Sequence, residues 1–216
     1  MALRSAGRRG GVSVGRPVRL DGGKLVWYAV ERASYEGRER EQDRRCSGRD
    51  YRHVPSRSLS IEEVLTLLAT TPSRIAALTN GLVPAQLRTT PSQEEWSAND
   101  VLAHLRACAD MWGSCIATMI AEDSPTLRAI NPRTWIKKTN YLDLEFVPSL
   151  RSFAAQRADL LAVLEPLPPE GWSRTATVIG AGSPLQRTVL DYAWRLARHE
   201  RPHLKQIERI VKTLRG

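Results

Sequence analysis

The sequence predicts an all-α fold, a four-helix bundle preceded by a basic, largely disordered N-terminal segment. Three observations carry this. Apolar residues recur at helical spacing in four stretches between residue 59 and the C-terminus. Three stretches open on a hydroxyl residue with an acid three positions later: Ser60 with Glu63, Ser97 with Asp100, and Thr188 with Asp191. At that spacing side chain and backbone cap a helix start reciprocally. Residues 123–147, between the second and third stretches, form a crossover long enough for the third helix to lie anywhere around a bundle.

Charge divides the chain at about residue 58. Of the 32 Lys and Arg, 14 fall in residues 1–58, along with 7 of the 23 acids. The formal net charge of +9 therefore describes mainly that segment, which argues against nucleic acid as a partner of the folded part. Residues 1–58 alternate Gly, Arg and Ser around one short apolar patch, Lys24 to Val30, and no helical or strand pattern persists there. The domain expected to fold is 59–216. Three cysteines, Cys46, Cys108 and Cys115, lack Cys-x-x-Cys spacing, as expected in a reducing compartment. No apolar run approaches the roughly 18 residues of a membrane span, and the N-terminus has no signal-peptide apolar core. A cytoplasmic protein without a membrane partner is expected.

The first helix follows Ser60 and buries Val64, Leu65, Leu67, Leu68, Ile75 and Leu78, with Asn80-Gly81 as its end. Thr71-Pro72 predicts a kink or two abutting segments. A turn-rich connection, 84–95, leads to the second helix, which starts at Ser97 and stops before Ser124-Pro125. Val101, His104, Cys108, Met111 and Cys115 form one stripe on it, so His104 points inward. The crossover is too polar and broken to predict a helix. The third helix spans about Pro148 to Glu165, with Arg157 set among Leu150, Phe153, Leu160, Leu161 and Leu164. A connection through Gly171-Trp172, with a short strand at Thr175–Ile179, precedes the last helix, which runs from Thr188 to about Leu214. Its inward stripe reads Tyr192, Leu196, His199, His203, Ile207, Ile210 and Leu214.

His199 and His203, four apart, stack on one helix face, close enough to hold one ion from the same side. His104 on the second helix supplies a third imidazole if the two long helices pack side by side. Three neutral imidazoles suit a divalent metal, Zn, Ni or Fe(II), with a position left for water or substrate. Burying three imidazoles without a shared purpose costs desolvation each time. His53 reads as a surface residue.

Other residues are open to two readings each. His199-Glu200-Arg201-Pro202-His203 matches the His-Glu-x-x-His pattern of zinc proteases, but Pro202 interrupts it and no protease sheet lies upstream. Glu200 either reaches the site as a general base or is solvated. Pro202 should bend the helix beside the ligands. Cys108 is a fourth ligand or a small core residue. Arg157 binds an anionic substrate or pairs with a carboxylate such as Asp191. Trp135 and Tyr141 cover the pocket mouth or pack on the bundle.

Trp96-Ser97, Val101-Leu102-Ala103-His104-Leu105, Phe153 with Arg157, Gly171-Trp172 and His199 to Ile207 occur in this order over residues 59–214. In this combination the chain resembles the DinB-like superfamily of metal-binding four-helix bundles. The resemblance implies His104, His199 and His203 as metal ligands. Members include bacillithiol-dependent S-transferases and mycothiol-dependent maleylpyruvate isomerases. The implied activity is therefore metal-dependent transfer of a low-molecular-weight thiol to a small electrophile, with a non-catalytic stress-response or binding module as the alternative. A homodimer is also implied.

Overall fold

The computed structural model describes residues 59–216, apart from Gln93 and Glu94, together with two short strands further upstream. The chain divides into two units, 1–58 and 59–216. In the first, β1 (Val18–Arg19) pairs antiparallel with β2 (Leu25–Val26). Apart from these two strands, the residues expected to be disordered, with Cys46 and His53 among them, lie outside the described residues.

The second unit is a four-helix bundle. Its long helices are α1 (Ile61–Thr79), α3 (Ala98–Ala121), α5 (Phe146–Leu164) and α7 (Val189–Arg215). All three capping boxes form. Ser60 Oγ accepts from Glu63 N at 3.1 Å while Glu63 takes the Ser60 N–H at 2.8 Å. Ser97 with Asp100 and Thr188 with Asp191 repeat the exchange. Asp191 is thereby committed to its helix start.

Each long helix packs on two others: α3 on α7, α7 on α1, α1 on α5, and α5 on α3. The core lies in two apolar clusters with a polar layer between them. On α1 the clusters are represented by Leu68 and Ile75, with Thr71 between. On α5, Phe153 and Leu160 bracket Arg157; on α7, Ala197 and Leu204 bracket His199, Glu200 and His203. Thr71, Arg157 and Glu200 are buried in that layer.

Several expectations need correction. α1 continues through Pro72 as one helix, and Thr71, rather than capping a second segment, donates its hydroxyl to Leu67 O at 2.9 Å. Pro202, where a bend is expected, lies inside the single helical span of α7. The connections carry structure that their polar sequences hid: α2 (Pro84–Arg88), β3 (Thr126–Arg128), α4 (Pro132–Ile136), α6 (Pro169–Ser173) and β5 (Leu185–Thr188). The strand expected at Thr175–Ile179 forms as β4, central in a three-stranded sheet, parallel to β3 and antiparallel to β5. Arg174 joins this sheet to the end of α3 by donating to the carbonyls of Met119 (2.6 Å) and Glu122 (2.8 Å), groups that the helix itself cannot satisfy.

The crossover is pinned to α3 by Tyr141, whose hydroxyl donates to Asp110 at 2.7 Å under the guanidinium of Arg106, 4.0 Å from the ring. Arg106 and Asp110 fall roughly opposite His104 on the helix. Tyr141 therefore packs on the bundle rather than over the histidines, and Trp135 packs against the first apolar cluster. Among the described residues no helix is long and apolar enough to cross a membrane.

Candidate metal centre

His104 projects from α3, and His199 and His203 from consecutive turns of α7, the helix packed beside it. Their Nε2 atoms converge. His199 Nε2 lies 3.2 Å from His104 Nε2 and 3.3 Å from His203 Nε2. One ligand atom from each of the three residues lies within 4.8 Å of the others. For nitrogen ligands at about 2.0–2.1 Å, adjacent corners of a tetrahedron are separated by about 3.3–3.4 Å. The two short separations match that edge.

The imidazoles do not lie along the middle of the buried face of α7. That face is centred on Ala193, Leu196, Ala197, Glu200, Leu204, Ile207 and Val211. His199 and His203 flank it and stay partly accessible, whereas His104 is buried. Burial pushes the His199 ring down to about 2, with the neighbouring imidazoles and Arg195 adding to the effect. It also lowers His203, against a hydrogen bond to Gln206 that works the other way. These two rings are neutral at ordinary pH and have lone pairs to give.

Two tryptophans and a glutamine orient the rings. Trp96, just before α3, stacks almost parallel to His203 at 6.2 Å and tilts against His104 at 5.1 Å. Trp112, two turns after His104, meets His199 edge-on at 5.0 Å. Gln206 Oε1 lies 2.9 Å from His203 Nδ1. A carbonyl oxygen only accepts, so His203 carries its proton on Nδ1 and turns the Nε2 lone pair towards the other rings. His199 Nδ1 is buried with no hydrogen-bond partner among the described residues. Sequence analysis missed Gln206, although its place three residues after His203 puts it within reach.

Cys108 is not a fourth ligand in this arrangement. Its sulfur stands 3.6 Å from His104 Nε2 but only 4.0 Å from Nδ1, so it rests against the ring. A thiolate sharing an ion on Nε2 would be about 5 Å or more from Nδ1. Burial also raises its pKa and keeps it a thiol.

Glu200 and Arg157 need the largest correction. Both are 2% exposed and form an ion pair with each other. Glu200 is neither solvated nor turned to the imidazoles: one residue past His199, it points about 100° away, into the bundle. Burial pushes its carboxyl up and Arg157 opposes this. Arg157 thus pairs with Glu200, not with Asp191 or an anionic substrate. The peptidase reading of the His-Glu-x-x-His pattern fails with it, because its general base is committed.

The fold and site define a class, a four-helix bundle with three imidazoles from two adjacent helices meeting at a partly open face. Residues 67–207 match the sequence model of the DinB superfamily, and the chain belongs to that superfamily. It is 27% identical over 161 residues to GK0616 of Geobacillus kaustophilus (strain HTA426), a candidate metal-dependent hydrolase, across 70% of this chain and 84% of that protein. The fold is similar to that of YfiT from Bacillus subtilis, described as a probable metal-dependent hydrolase with an unusual four-helix bundle topology. That likeness has a TM-score of 0.57 at 18% identity, and covers 73% of this chain and 92% of YfiT.

Proposed function

We propose that this protein is a divalent-metal-dependent enzyme that adds a small nucleophile, a low-molecular-weight thiol or water, to an electrophile. His104, His199 and His203 would hold the ion. The observation that carries the proposal is the convergence of three imidazoles, with His199 Nε2 at tetrahedral-edge spacing from the Nε2 atoms of His104 and His203 and one side partly accessible. Structural sites are closed by four protein ligands, whereas catalytic ones keep a position open. The candidate hydrolase assignment of GK0616 supports the general chemistry, and the resemblance to thiol-dependent transferases supports the thiol.

A bound ion would supply Lewis acidity, favouring the deprotonated form of water or a thiol and polarising the electrophile. The protein's own groups present the lone pairs and shape the surroundings. Gln206 fixes the His203 tautomer, and Trp96 and Trp112 wall the rings. Among the described residues no carboxylate joins the three imidazoles as a ligand.

The test pairs metal-loaded protein with two screens: cellular thiols against monochlorobimane, and a panel of activated esters and amides. Metal-dependent turnover in the first supports the transferase, and in the second alone the hydrolase. Metal-loaded protein inert in both identifies a non-catalytic metal-containing module.

A further inference from the structure

The chain places a cation, Arg195, one turn before His199 on the same side of α7. Its guanidinium carbon sits 4.9 Å over the ring of Trp112, and Trp112 meets His199 at 5.0 Å. Arg195 is exposed and has no carboxylate partner among the described residues. Its charge is felt by His199, Cys108, Cys115 and Tyr192 together, which puts it on the site's side of the helix.

The acids around the site are otherwise engaged. Glu200 is held by Arg157 in the bundle centre, and Asp110 takes hydrogen bonds from Tyr141 and Gln156 on the opposite side of α3. Glu95 accepts a hydrogen bond from Ser92 and lines a surface pocket with Trp96, Gln206 and Arg209, and it does not join the three imidazoles as a ligand. Three imidazoles bring no negative charge to a dication. With Arg195 beside them, the surroundings are electropositive, and among the described residues no carboxylate joins the imidazoles to offset the charge.

We infer that Arg195 is the anchor for an anionic group of the substrate, and that the site takes molecules carrying a carboxylate or similar anion a few bonds from the reacting atom. This rests on the metal-centre reading above. Arginine suits the role because its planar fork presents paired donors to a carboxylate while its face stays stacked on an aromatic ring. Arg198, stacked 4.7 Å over Trp194, is the natural control, since it rides on a different tryptophan.

The experiment uses the full chain loaded with cobalt(II) and titrated with 3-mercaptopropionate or the uncharged 3-mercaptopropanol, followed through the cobalt absorption spectrum. Wild type should bind the charged probe more tightly. Arg195→Gln should weaken that probe at least tenfold, as expected for one charge-assisted hydrogen bond, and leave the neutral probe unchanged. Arg195→Lys should fall between, and Arg198→Gln should match wild type. Cobalt stoichiometry should be the same in all four. No preference for the charged probe in wild type, or an equal preference in Arg195→Gln, overturns the inference while leaving the metal centre standing. Failure of wild type to bind cobalt overturns the metal reading and this inference with it.

Discussion

Arg157 and Glu200 form a buried ion pair between α5 and α7, helices that stand diagonally in the bundle. The pair crosses the polar layer between two apolar clusters, at the depth where His199 and His203 leave consecutive turns of α7. Register between α5 and α7, and with it the height of two imidazoles, is tied to this contact. Removing either partner strands a charge in the core, which costs about 3–5 kcal/mol. Arg157→Leu and Glu200→Leu should each lose about that much in urea unfolding. The double variant should recover most of it, because a matched apolar pair leaves no orphan charge. Single variants within about 1 kcal/mol of wild type would show that the pair does not hold the layer.

Gln206 would act on a bound metal through His203. Gln206→Leu removes the acceptor that keeps the proton on Nδ1, so both tautomers become populated and part of the protein presents N–H where a lone pair is needed. Loss of such a partner lowers metal affinity by about 10–100-fold. The expected result is that decrease in a competition titration with a chelator, with helical content unchanged. Equal affinity in the variant would show that the tautomer is set by something else.

The metal-free protein should lose stability on acidification. His199, pushed down to about 2 in the folded state, and His203, lowered as well, take up protons near 6.5 once unfolded. Folded pKa values below the unfolded ones give stability that is fully present above about pH 6.5 and lost as pH falls. The buried carboxyl of Glu200, raised rather than lowered, contributes in the opposite direction, so the histidine share is read by difference. Urea unfolding of metal-free wild type and His199→Phe between pH 7.5 and 5 should give a steeper decline for wild type. Parallel curves would contradict the neutral state of His199.

The long helices were legible because their signals are local: a capping pair at each of three starts, then apolar residues at helical spacing. The histidines were legible for the same reason, since His199 and His203 are neighbours on one helix and His104 sits on a buried stripe. The sheet was not. β3 has three residues and pairs in parallel with β4 across most of the bundle's second half, a contact that no local pattern announces. Glu200 is the instructive miss. It lies in helical register with Ala193, Leu196, Ala197, Leu204, Ile207 and Val211, a stripe that marks it as core. The neighbouring histidines drew it instead into a catalytic pattern, and the apolar face was centred one residue off. Arg157 read correctly as an inward cation, but its partner lay across the bundle and Asp191 was already spent on a cap.

The most direct measurement is the metal content of purified and reconstituted wild type beside His104→Ala and His203→Ala, with circular dichroism to verify folding. Each imidazole would supply one of three protein ligands from two helices, so removing any one should leave too few to retain the ion. The expected result is close to one divalent ion per chain in wild type and a small fraction of that in either folded variant. Folded wild type that takes up no divalent metal, or variants that retain as much as wild type, would contradict a metal centre at His104, His199 and His203.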